Sequence, residues 1–149
     1  MNDIMLLSYL LKTKHRELVN LLFAETVLEA HKGIKASDII IQAVKDGLIA
    51  KFDKEQLSEL VALVSKGGYR TSLSGEIEKR AARELKEKMK FSEDQAARVA
   101  AHGVSFLVNA LGSFMQARNK TNPTGIQELM AGETQASLKS KFLSRFKRK

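Results

Sequence analysis

The stretch from Phe91 to Arg118 constrains this chain more than any other. Ser92 is placed to cap a helix, and Gln95 stands three residues on as the second half of a capping box. Glu93 and Asp94 put two carboxylates at the positive end of the helix dipole. From Ala96 the sequence reads AARVAAHGVSFLVNALGSFMQAR, apolar or small around nearly the whole circumference. A helix of that kind is buried on most sides, so the pattern predicts a central, largely buried helix over about 92–118. Gly103 and Gly112 each cost about 1 kcal/mol relative to Ala inside a helix. Either another backbone packs on them or the helix breaks there, and Gly112 is the expected break.

The same stretch is too short to cross a membrane. Its uninterrupted apolar part, Val104 to Met115, already contains Ser105 and Asn109. Spanning takes about 20 predominantly apolar residues, and extending to that length admits Arg98, His102 and Gln116. No integral membrane span is expected. The rod must therefore be buried by other helices. Period-2 alternation of β-branched and aromatic residues is missing, whereas Ala, Leu, Lys, Glu and Gln abound. The expected fold is all-α: a single bundle of about six or seven helices over residues 1–132, followed by a basic amphipathic tail, 133–149.

Several classes fall away on composition. Without cysteine there are no disulfides, thiolate nucleophiles or Cys-based zinc sites. The apolar run Ile4 to Leu11 has an acid before it, bases after it and no small-residue cleavage site, so it makes a poor signal peptide. A cytoplasmic location is expected, and the acceptor-like Asn119-Lys120-Thr121 is read as a chance match.

Along the chain, helical patterns run from Asp3 to Lys12 and from Lys14 to Lys32, with Gly33 as the stop. Ser37 is expected to cap the next helix and Gly47 to end it. Lys51-Phe52-Asp53-Lys54-Glu55-Gln56 then reads as a second capping box, with Phe52 stapled onto Leu57. A charged helix follows from about Ser74 to Lys90. Its apolar seam is Ile77, Ala81, Leu85 and Met89, and Glu76/Arg80, Arg83/Glu87 and Glu84/Lys88 are spaced as ion pairs. This helix is expected on the outside, where its seam could also meet a second copy, so a homodimer is one candidate assembly. A short helix, Ile126 to Ala131, closes the bundle. The starts at Lys51 and Lys90 echo each other 39 residues apart. Upstream, however, Ile41 aligns with Arg80 and Val44 with Arg83, so two helices sharing a start signal explain the echo better than a repeat.

Catalytic constellations are thin. His15, His31 and His102 are far apart in sequence and lack metal-type pairing with acids at helical spacing, so neither metal nor cofactor is expected. His102 with Ser105 one turn on lacks an orienting third group and an oxyanion motif. A histidine satisfied at a core edge is the plainer reading, and Arg98 and Asn109 are likewise expected to tie to neighbouring helices. The candidate anion loop is Lys66, Gly67, Gly68, Tyr69, Arg70, Thr71 and Ser72: two glycines, two bases and two hydroxyls before a helix start. It lacks Walker spacing, and a glycine helix stop followed by a polar loop is the plainer reading.

The formal net charge is +8, and the last 17 residues carry six bases against one acid, leaving only +3 to residues 1–132. Lys139, Lys141, Arg145, Lys147, Arg148 and Lys149 supply that charge, while Leu138, Phe142, Leu143 and Phe146 share a helical face. Three readings compete: the apolar face docks on the bundle, the bases hold nucleic-acid phosphates, or the segment lies on an anionic membrane or in a protein groove. The leading expectation is a non-catalytic interaction module whose partner is nucleic acid or a protein. The alternatives are peripheral membrane association, or a small enzyme or anion-binding protein using His102 or the 66–72 loop.

Overall fold

In the computed structural model, which describes residues 5–133, the chain is an all-α bundle. Seven α-helices run α1 (Leu6–Thr13), α2 (His15–Thr26), α3 (Ala30–Asp53), α4 (Leu57–Val64), α5 (Ser72–Met89), α6 (Glu93–Ala117) and α7 (Pro123–Met130), with a 3-10 turn at Gly68–Arg70. Among the described residues there is no strand, and no helix is long and apolar enough to cross a membrane.

α6 starts where its sequence predicts. Ser92 Oγ accepts from the Gln95 amide at 3.1 Å, and Glu93 and Asp94 occupy the first turn. The helix packs against α5, α2, α3 and α4, and its buried positions include Val99, Val104, Leu107, Leu111 and Met115. One stripe stays open to solvent: Asp94, Arg98, His102, Asn109, Ser113 and Gln116. Their spacing of three, four and seven residues keeps them on a single line of the helix surface. Arg98 and Asn109 are therefore not the half-buried groups anticipated; among the described residues Arg98 pairs with Asp94 on its own helix, at 3.7 Å.

The helix does not break at Gly112. That glycine lets the α4 backbone approach, since a Cβ there would lie 3.2 Å from the Val64 carbonyl oxygen. Gly103 serves the α3 contact in the same way, with Ile40 Cδ1 2.6 Å from where a Cβ would stand.

The first half of the chain departs most from expectation. α1 and α2 are separated by a kink at Lys14. α2 stops at Thr26, with Val27 in the left-handed conformation at φ 56°, well before Gly33. Residues Ala30 to Asp53 then form one helix through Gly33, Ser37 and Gly47. All three read as punctuation because each commonly ends or starts a helix, but here each is buried within one, and the two glycines lie where another helix presses close. Gly33 faces Val19, and Gly47 faces Ile77 at 2.6 Å from a would-be Cβ. Contact with α2 and α5 overrides the local signal. Asp53 thus ends a helix and caps none, and α4 starts at Leu57 after the left-handed Glu55. The echo between Lys51 and Lys90 consequently joins a helix end to a helix start, not two equivalent units.

α5 begins two residues early, capped by Thr71, whose Oγ1 accepts from the Ser74 amide at 3.3 Å. Its seam, Ile77, Ala81 and Leu85, is fully buried against α3 and α6, so it is not left over for a second copy. Of the anticipated pairs, Glu84–Lys88 forms at 2.9 Å. Glu76 goes instead to Lys51 at 3.6 Å, which also holds Glu59 at 3.3 Å, so one ammonium links α3, α4 and α5. α7 starts at Pro123 because Asn122 Oδ1 accepts from the Gly125 amide at 2.7 Å, the favoured arrangement of a polar cap before proline.

Candidate anion-binding surfaces

Among the described residues, two clefts carry at least two more lysines and arginines than carboxylates. The first forms around the turn after α4. α4 ends at Val64, Gly67 turns the chain at φ 79°, and Gly68 is wedged so tightly that any Cβ would overlap the Leu63 carbonyl. Only glycine fits, and the loop is thereby folded back toward α6. Ser65, Lys66, Gly67, Gly68, Tyr69 and Arg70 make one wall, and Asn109, Ser113 and Gln116 from the open stripe of α6 make the other. They enclose a cleft of about 510 Å³. Gln116 Nε2 donates to the Val64 carbonyl at 3.1 Å and ties the two walls together. Arg70 lies over the Tyr69 ring, 5.2 Å from its centroid, and its Nε donates to the Tyr69 hydroxyl at 3.1 Å. Among the described residues no carboxylate pairs with Lys66 or Arg70.

The sequence anticipated part of this wall. Thr71 and Ser72 do not line the cleft: Thr71 caps α5, its hydroxyl donates to the Gly68 carbonyl at 2.7 Å, and Ser72 is the first residue of the helix. The α6 wall was missed, although Asn109, Ser113 and Gln116 at i, i+4 and i+7 form a polar line on an otherwise apolar helix. That line was the available signal.

The second cleft, about 630 Å³, lies between α1, α2 and α3 and is lined by Ser8, Lys12, Thr13, His15, Arg16, Asp38, Ile41 and Lys45. His15 Nε2 sits 3.1 Å from Asp38 Oδ1, which occupies the only carboxylate of that lining. Lys12, Arg16 and Lys45 remain as the cations around it. At one edge, Lys45 Nζ donates to Ser8 Oγ at 3.2 Å. Ser8 in turn gives both its amide, at 3.1 Å, and its hydroxyl to the carboxylate of Glu133. Glu133, placed with the tail in the sequence reading, is buried against α1.

The six tail bases and the apolar face of Leu138, Phe142 and Phe146 lie outside the described residues. His102 stands on the open stripe of α6 away from both clefts, with Ser105 half-buried one turn on. Among the described residues no three acidic or histidine side chains converge as metal ligands would. Comparison with protein-family models, with curated proteins and with solved structures finds no match for this chain.

Proposed function

We propose that this protein is a non-catalytic helical interaction module that binds the phosphate backbone of nucleic acid. The binding surface in this reading has two parts: the bases Lys139, Lys141, Arg145, Lys147, Arg148 and Lys149, and the cleft carrying Lys12, Arg16 and Lys45. What supports it is the position of Glu133. This residue is bonded to Ser8 at the edge of the cationic cleft, and Lys139 follows it by six residues, at most about 22 Å of chain. Glu133, the last described residue, therefore stands at the edge of cations already grouped on the folded surface. Clustered Lys and Arg attract a polyanion through its field and gain from releasing its counterions.

The test is binding of the full-length protein to duplex and single-stranded oligonucleotides across a salt series. Two variants accompany it, one with the six tail bases changed to Gln and one carrying Lys12→Gln and Arg16→Gln. The logarithm of affinity should fall with the logarithm of salt by about 0.9 per duplex phosphate contacted, and each variant should give a shallower slope. Flat salt dependence, or equal binding by the six-base variant, refutes the proposal. Sedimentation with anionic vesicles that is lost in Phe142→Ala and Phe146→Ala would transfer the tail to a membrane surface instead.

A further inference from the structure

The cleft between the 65–70 loop and α6 has a chemistry of its own. Its two cations, Lys66 and Arg70, arise from one short loop and have no carboxylate partner among the described residues. Facing them are three neutral hydrogen-bonding side chains, Asn109, Ser113 and Gln116, held in line by a rigid helix. Gln116 is fixed through its amide nitrogen, which leaves its oxygen and the Asn109 and Ser113 groups to meet a ligand. Arg70 is steadied by the Tyr69 hydroxyl and ring, so part of the entropy of ordering a long side chain is already lost before anything binds.

We infer that this cleft binds a small phosphomonoester. A phosphate carries a charge of about −1.5 to −2 near neutral pH and three acceptor oxygens, which matches two uncompensated cations better than a single carboxylate does. The guanidinium can take two of those oxygens in parallel and the ammonium the third, while Asn109 and Ser113 meet what remains of the ligand. The volume, about 510 Å³, exceeds that of a bare phosphate ion and falls in the range that small organic ligands occupy. A duplex backbone presents phosphates on a convex surface and would leave the α6 wall unused.

The experiment uses the full-length protein and phenyl phosphate as probe, followed by backbone amide shifts in two-dimensional NMR. Inorganic phosphate and a duplex oligonucleotide form separate arms. Saturable shifts are expected in residues 65–70 and 109–116. Affinity should drop about tenfold or more in Arg70→Gln and in Lys66→Gln, as loss of a charge-assisted contact predicts. Both side chains are exposed, so the fold persists and the amide spectrum verifies it. The variant lacking the six tail bases should bind phenyl phosphate as the parent does, so the result stands whether or not the tail binds nucleic acid. Shifts confined to the tail, or affinity unchanged by Arg70→Gln and Lys66→Gln alike, overturn the inference. So does a duplex that moves the 65–70 and 109–116 resonances as strongly as the small ester.

Discussion

Replacing Glu133 by Ala should destabilise the bundle far more than a substitution near the end of a domain normally does. The first helix has no cap of its own: Met5 occupies the N-cap position and offers no side-chain acceptor. Glu133 supplies one from the other end of the domain, accepting from the Ser8 amide and the Ser8 hydroxyl while almost fully buried. Its negative charge also meets the positive end of the α1 dipole. Losing a cap costs about 1 kcal/mol, and breaking a hydrogen bond to a charged group costs about 1.5–3 kcal/mol. The two bonds share one oxygen and do not add fully, so about 2–3 kcal/mol is the expected loss. At an unfolding entropy of about 2.1 cal/mol/K per residue, a domain of about 130 residues loses roughly 3–4 °C per kcal/mol. Glu133→Ala should therefore lower Tm by roughly 7–11 °C, with the denaturant midpoint falling and the slope m unchanged. Glu133→Gln keeps an acceptor in place and should lose about half as much. Circular dichroism melts and urea titrations of the full-length variants measure both. A Tm for Glu133→Ala within about 1 °C of the parent would refute the capping role.

Three further outcomes are expected. Gly75 lies inside α5 with open space where a Cβ would stand, so Gly75→Ala should stabilise by about 0.5–1 kcal/mol, read as a rise in Tm. Val27, exposed and left-handed at φ 56°, is a β-branched side chain in a conformation that costs roughly 1–2 kcal/mol, so Val27→Gly should raise stability by about 1 kcal/mol in urea titration. The hydrogen bond to Glu59, then the charges of Glu59 and Glu76, hold the Lys51 ammonium above its ordinary pKa of 10.5. The stability it adds is complete below that value and lost as pH rises through the higher folded one, so the gap between parent and Lys51→Met should be constant near neutrality and narrow in strong alkali. A gap unchanged at alkaline pH would count against the three-helix link.

The sequence was most legible where local and tertiary signals agree. Ser92 caps α6 because its hydroxyl, the acids behind it and the apolar run ahead all favour the same start, and nothing in the packing opposes it. The class and the number of helices follow from such stretches. Gly33 and Gly47 were illegible for the opposite reason: each carries a strong local signal that a neighbouring helix cancels by pressing on it. No pattern within α3 reveals that Ile77, thirty residues on, will rest on Gly47. Similarly, Val27 gives no hint of a stop, since the residue is among the worst suited to the conformation it adopts. The loop cleft was half visible. Lys66 through Arg70 stand together in the chain, whereas Asn109, Ser113 and Gln116 join them only once Gly68 folds the turn against α6.

The bond from Glu133 to Ser8 also changes how the bundle can come apart. In a stack of helix pairs the outermost unit has a single neighbour and peels away first, so disorder spreads inward from the rim. Here α7 and α1 lie side by side, and Glu133 just after α7 is bonded to Ser8 in α1, so the first and last of the described helices are fastened to each other. Lifting either of these two helices away also breaks the Glu133–Ser8 bonds, so the two margins of the described bundle are coupled.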